Sequence, residues 1–157
     1  MSQSLVAGKK APAFTAKDQN GNNVSLKDFA GKKIALFFYP KDNTPACTAQ
    51  ACNLRDNIAL LKSKGIEVLG VSIDAVKSHK KFEDKFQLPF TLIADEEQVL
   101  VNNYGVWGLK KFMGREYMGT KRTTFLINEK GVIDFVIEKV VTKAHAEQIL
   151  ELWKDKL

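Results

Sequence analysis

Two thiols, Cys47 and Cys52, are the only cysteines in the chain's 157 residues. They follow a run that reads as a loop entering a helix: Pro40-Lys41-Asp42-Asn43-Thr44-Pro45-Ala46-Cys47. Thr44 is a good N-cap and Pro45 suits the first helical position, so Cys47 falls at the third. Backbone N–H groups there have no acceptor inside the helix, and the helix dipole presents its positive end. A free thiol is ionised only to a few per cent at neutral pH, and helix N-termini and nearby cations raise that fraction. The pattern therefore predicts a nucleophilic sulfur at Cys47. The Thr44 hydroxyl stands close enough in sequence to donate to the sulfur or to a bound oxygen. Pro40 and Pro45 stiffen the loop and shield the sulfur from water.

Cys52 lies five residues along the same helix. In ideal helical geometry the two Cα atoms are roughly 8.6 Å apart and ~140° around the axis. A disulfide needs Cα atoms within ~7 Å. A bond between these two therefore requires the helix start, about residues 45–52, to unwind.

The elements that must hold this loop are legible in the hydrophobic pattern. Ala13–Ala16 and Val24–Leu26 flank Asn20-Gly21-Asn22, a hairpin signal. Residues 33–39 are apolar without alternation, which suits a strand covered on both faces. The helix from Thr44 continues through Leu54, Ile58 and Leu61 to a stop at Gly65. Residues 66–73 form a second buried strand, 75–86 a helix with Val76, His79, Phe82 and Phe86 on one side, and 90–94 a third strand. A short helix follows over 96–104. Residues 123–127 and 132–137 are strands joined at Asn128-Glu129-Lys130-Gly131, and an amphipathic helix closes the chain from about Lys143. This order predicts one α/β domain over residues 1–157, with a mixed central β-sheet flanked by helices and an N-terminal β-hairpin, in the thioredoxin-like arrangement.

Composition narrows the function. At 45% hydrophobic and 27% charged residues, the chain has enough apolar content to exclude disorder. No apolar run approaches a membrane span, and the first ten residues lack a signal peptide's pattern, so the expectation is a cytoplasmic protein off the membrane. Two cysteines are too few for a disulfide scaffold or a Cys-rich zinc site. By themselves they leave buried filler and redox chemistry open. The net charge of +6 raises a nucleic-acid reading, but lysines come in pairs with acids nearby and no nucleic-acid-binding signature is present. The basic stretch 110–122, with Lys110, Lys111, Arg115, Lys121 and Arg122 against Glu116, reads as surface. His79, beside Phe82, reads as a packed histidine, and His145, near a helix start, as solvent-facing.

Pro40-x-x-x-Thr44-x-x-Cys47 resembles the active-site motif of the peroxiredoxins. Phe38-Tyr39-Pro40-Lys41-Asp42 and Thr44 through Cys52 are similar to the bacterioferritin-comigratory, or Q-type, subfamily. The likeness extends over the Asn20-Gly21 hairpin, Val106-Trp107-Gly108, Tyr117-Met118-Gly119 and Arg122 through Ile127. It implies a thioredoxin fold and a thiol peroxidase acting on hydrogen peroxide and organic hydroperoxides. It further implies Cys47 as the peroxidatic cysteine, Cys52 as the resolving cysteine of the same subunit, and Arg122 beside the sulfur. Recycling by thioredoxin or a similar dithiol reductant, with no metal or organic cofactor, completes what the likeness implies. Resolution within one chain needs no partner subunit, so a monomer is expected. Ala46, where relatives often have Gly, and Gln50, where many peroxiredoxins carry Glu, depart from the commonest pattern. Two rivals are a thioredoxin-like thiol–disulfide oxidoreductase, against which the four-residue spacer between the cysteines argues, and a basic binding module with structural thiols.

Overall fold

A computed structural model of the chain describes residues 5–156. Its centre is β3 (Lys33–Phe38), buried at every residue. β4 (Ile66–Ser72) and β5 (Thr91–Ala94) run parallel to it in succession, and β8 (Thr123–Ile127) and β9 (Ile133–Ile137) continue the sheet antiparallel on its other side. The expected hairpin, β1 (Thr15–Lys17) and β2 (Asn23–Ser25), joins the β5 edge. The full order is β2-β1-β5-β4-β3-β8-β9. This is the mixed sheet that the uninterrupted apolar runs called for.

Alternation along β3 sorts the core into two layers. Ala35 and Phe37 face α1 (Pro45–Asp56), α3 (Val76–Phe86) and α5 (His145–Trp153), meeting Leu54, Phe82, Ile149 and Trp153. Ile34, Leu36 and Phe38 face the opposite side, where they pack with Phe125, Tyr104 and Leu100. Gly70 of β4 makes room for the first layer: a Cβ there would stand 2.8 Å from the Phe37 ring and 3.0 Å from Leu92.

Three elements differ from the sequence expectation. The helix read as continuous to Gly65 breaks at Asn57 into α1 and α2 (Ile58–Ser63). There the Asn57 side-chain amide donates to the Asn53 carbonyl at 2.8 Å, the local competition with helical bonding that asparagine favours. The helix expected over 96–104 shrinks to α4 (Val99–Asn103), whose first N–H groups bond to the Asp95 carboxylate. The basic stretch contains a hairpin of its own, β6 (Trp107–Phe112) with β7 (Arg115–Thr120), joined through Met113 and Gly114, both at positive φ. Nearly all of it is exposed or half-exposed, so neither face imposes the apolar alternation by which a strand is recognised.

Candidate active site

α1 starts just beyond the carboxyl end of β3. Thr44 is its N-cap in backbone conformation (φ −92°, ψ 155°) with Pro45 in the first turn. The Thr44 hydroxyl does not cap: Oγ1 donates to the Lys41 carbonyl at 2.9 Å, tightening the loop instead. Its lone pairs stay available as an acceptor. The first helical bond runs from the Thr48 N–H to the Thr44 carbonyl at 2.8 Å, so helix geometry leaves the Ala46 and Cys47 N–H groups without an intrahelical acceptor. No acid occupies this first turn.

The helix turns Cys47, Gln50, Ala51 and Leu54 toward the sheet, all of them buried. Register then brings Arg122 to the sulfur. Thr123 pairs with Phe38 at the end of β3, so Arg122, one residue earlier, reaches the level of the loop after β3. Its side chain lies on the helix side of the sheet with those of Thr124 and Leu126. Arg122 Nη2 donates to Cys47 Sγ at 3.3 Å, and Nη1 donates to Gln50 Oε1 at 2.8 Å. One guanidinium thus spans two successive turns of α1, in the fixed fork geometry that a lysine lacks. The Gln50 amide nitrogen is buried with no hydrogen-bond partner among the described residues. Gln50 was legible in sequence only as a departure from the common Glu, although its i+3 spacing from Cys47 places both on one face.

Of the residues expected at the site, Cys47, Arg122 and Thr44 gather at the start of α1, and Pro40 begins the loop leading into it. Cys52 is half-buried further along α1, and both thiols are free. The helix is unbroken between them, which is the arrangement in which ideal geometry forbids a bond.

Two residues read from the sequence as surface or solvent-facing lie within the reach of the Arg122 charge. Lys110 of β6 donates to the Thr120 carbonyl at 3.0 Å. Its ammonium is shifted below the ordinary lysine value, chiefly by burial and then by the Arg122 charge, with Cys47 opposing. It contributes positive potential beside the sulfur. His145, expected in solvent, is fully buried, because α5 lies against the sheet beside α1. The Gln148 amide donates to the Lys139 carbonyl, which turns Gln148 Oε1 toward His145 Nδ1 at 2.8 Å. Nδ1 is then the donor, and Nε2 accepts from the Thr124 hydroxyl at 2.7 Å. Burial first, and the Arg122 charge as a smaller cause, push this imidazole below the ordinary histidine value.

The grouping that comes nearest to a metal-ligand set among the described residues is Asp42, Asp74 and His79, with ligand atoms within 4.8 Å of one another. Those atoms are engaged with protein donors and acceptors. Trp107 is half-buried at the base of the exposed hairpin, and Phe37 is core.

With this geometry in hand, known proteins give a consistent picture. Residues 7–136 match the AhpC/TSA family. The chain is 44% identical over 151 residues to peroxiredoxin Bcp of Escherichia coli strain K12, covering 96% of this chain and 97% of that protein. It is 43% identical over 148 residues to peroxiredoxin Bcp of Bacillus subtilis strain 168, with 94% of each covered. Among solved structures, a cysteine-to-serine variant of Xanthomonas campestris peroxiredoxin Q superposes with a TM-score of 0.89 at 30% identity, covering 98% of this chain and all of that one. The bacterioferritin comigratory protein of the same organism, studied for alkyl peroxide reduction, superposes at 0.87 and 30% identity over 95% of this chain and 98% of that one. Sequence and fold agree: the chain belongs to the AhpC/TSA family, among the peroxiredoxins of the Bcp, or Q, type.

Proposed function

We propose that this peroxiredoxin reduces hydrogen peroxide and alkyl hydroperoxides through Cys47. The observation that carries the reading is the 3.3 Å bond from the Arg122 guanidinium to the sulfur of a cysteine in the first turn of α1. A thiolate there is stabilised by a fixed cation and by free backbone N–H groups. It attacks one peroxide oxygen along the O–O bond. That bond breaks, an RO⁻ group leaves and is protonated to water or alcohol, and Cys47 becomes a sulfenic acid. Arg122 and the Cys47 N–H stabilise the charge developing on the two oxygens, while the Thr44 oxygen accepts the hydrogen of the incoming hydroperoxide. The first turns of α1 then unwind, and the Cys52 thiol displaces water from the sulfenic acid to form the Cys47–Cys52 disulfide. A dithiol reductant, thioredoxin by family likeness, restores both thiols by exchange. Pro40 shapes the loop. The reading includes a cytoplasmic protein that works as a monomer. Among the described residues no helix is long and apolar enough to cross a membrane.

One equivalent of hydrogen peroxide tests this. Both thiols of the reduced protein should be lost rapidly and stoichiometrically, and Cys52→Ser should accumulate a sulfenate on Cys47. Slow thiol loss, or a sulfenate on Cys52 in Cys47→Ser, would overturn the assignment.

A further inference from the structure

Behind the Pro40–Thr44 loop lies a buried polar cluster that the peroxide reaction does not use. Asp42, two residues before the N-cap of α1, is only 7% exposed. Its Oδ1 accepts from the Tyr39 hydroxyl at 2.6 Å, and its Oδ2 accepts from the Ser78 hydroxyl at 2.8 Å. Oδ2 also lies 2.7 Å from His79 Nδ1. The Asp42 N–H donates to Asp74 Oδ2 at 2.8 Å, and the Ser72 hydroxyl holds that same oxygen at 2.7 Å. His79 is fully buried, with Nε2 at 2.8 Å from the Ile93 carbonyl. A carbonyl oxygen only accepts, so Nε2 carries a proton. The Asp42 carboxylate, already accepting from two hydroxyls, accepts the second ring proton from Nδ1. These contacts fit a buried imidazolium–carboxylate pair between His79 and Asp42.

Asp42 thus ties the loop to three places in the fold: its N–H reaches Asp74 just past β4, its carboxylate reaches Ser78 and His79 of α3, and His79 in turn reaches Ile93 of β5. A buried ion pair is commonly no more stabilising than apolar residues of the same shape, because both charges lose their hydration. What such a pair does supply is direction, since charge-assisted bonds hold their partners in one geometry. Here the held segment is the one that sets where α1 begins. Cys47 must meet Arg122, which arrives from β8 on the other side of β3.

We propose that Asp42 and His79 are positioning residues for the peroxide reaction. Their pair fixes the Pro40–Thr44 loop so that Cys47 meets Arg122, and it stays closed while α1 unwinds, which confines the unwinding to residues after Thr44. The inference rests on the peroxidase reading of Cys47. It predicts that weakening the pair slows sulfenate formation, which needs the folded helix start, without slowing disulfide closure, which needs it unfolded.

The test uses Asp42→Asn, in which the amide can still bond a neutral imidazole and no buried charge is left alone. Stopped-flow kinetics with hydrogen peroxide time sulfenate formation in the Cys52→Ser background and disulfide closure in the Cys52-containing protein. ¹⁵N NMR reports protonation of the His79 ring. In the parent both ring nitrogens should be protonated. In Asp42→Asn, Nδ1 should lose its proton, sulfenate formation should fall about tenfold, and closure should hold or quicken. The proposal is overturned if the parent Nδ1 is unprotonated, if sulfenate formation stays within twofold after the Nδ1 proton is lost, or if both steps slow by the same factor. Should Asp42→Asn not fold, Ser78→Ala and Tyr39→Phe each remove one neutral donor from the same carboxylate. Either should slow sulfenate formation about two- to fivefold and leave closure unslowed, and an unchanged rate in both overturns the proposal. Absence of any sulfenate in the Cys52→Ser parent would instead defeat the peroxidase reading itself.

Discussion

Replacing Arg122 by methionine removes the guanidinium and keeps most of the apolar stem. Two bonds disappear: the 3.3 Å contact to Cys47 and the 2.8 Å contact to Gln50. Losing one preorganised donor to charge that develops in a transition state costs about 10²–10³ in rate, or roughly 2.7–4 kcal/mol. Arg122 is half-buried rather than sealed, so water partly replaces it, and the expected loss lies near the lower bound, about 10²-fold. Arg122→Lys retains a charge but not a fork that reaches Cys47 and Gln50 together, and should fall between, at about tenfold. The Gln50 oxygen, buried and left without its donor, should cost about 1–3 kcal/mol of folding stability. The two losses are separable. The first appears in the second-order rate of sulfenate formation in the Cys52→Ser background, followed by stopped flow under excess hydrogen peroxide. The second appears in denaturant unfolding. If Arg122→Met reacts within threefold of its parent while its helix content is unchanged, Arg122 does not stabilise the reacting sulfur and oxygens.

Three further outcomes are expected. Gly70→Ala places a methyl group 2.8 Å from the Phe37 ring and should destabilise the fold by about 1–3 kcal/mol, seen as a lower denaturation midpoint at unchanged slope. The His145 imidazole, lowered chiefly by burial, takes a proton more readily in the unfolded chain. Its share of stability is therefore present above the ordinary value of 6.5 and lost as pH falls from there toward the folded value. His145→Gln should flatten that part of the stability–pH curve, and an unchanged curve would refute the assignment. Ala46→Glu puts a carboxylate in the first turn of α1, worth about 0.3–1 kcal/mol to the helix. If closure requires unwinding, that should slow disulfide formation roughly two- to fivefold; faster closure would contradict the unwinding step.

The sheet and the start of α1 could be read from the sequence because each is determined by local rules. The run Lys33–Phe38 lacks polar alternation because both its faces are covered, and Thr44-Pro45 is a helix start whatever the tertiary context. What escaped was set by partners distant in sequence. Nothing near His145 reveals that Thr124, 21 residues earlier, supplies a hydroxyl to Nε2, so a histidine near a helix start read as solvated when it is sealed. Lys110 belongs to a largely exposed hairpin that no periodicity marked as strand. Arg122 could be named only by family likeness. Its 75-residue separation from Cys47 is closed by the pairing of Thr123 with Phe38, a register that no local pattern encodes. The Thr44 hydroxyl was misread for the opposite reason. Local rules favoured a cap or a bond toward the sulfur, and the Lys41 carbonyl three residues back took its proton instead.

That diverted hydroxyl bears on how one helix can serve both steps of the proposed reaction. A side-chain cap would strengthen the start of α1 by about 1 kcal/mol, and an acid in the first turn would add a fraction more. α1 has neither. Either group would also occupy the N–H donors and neutralise the dipole that a thiolate at Cys47 draws on. Leaving the helix end without them therefore has two consequences of one physical origin. The positive potential stays available to the sulfur, and the turn that must open for Cys52 to reach it is the one held least firmly by its own side chains. Arg122 then becomes the decisive restraint, since its contacts to Cys47 and Gln50 join both turns to β8. In the proposed cycle, oxidation places an oxygen on the sulfur that Arg122 contacts, so the contact joining the helix start to β8 is disturbed at the step just before the helix start has to open.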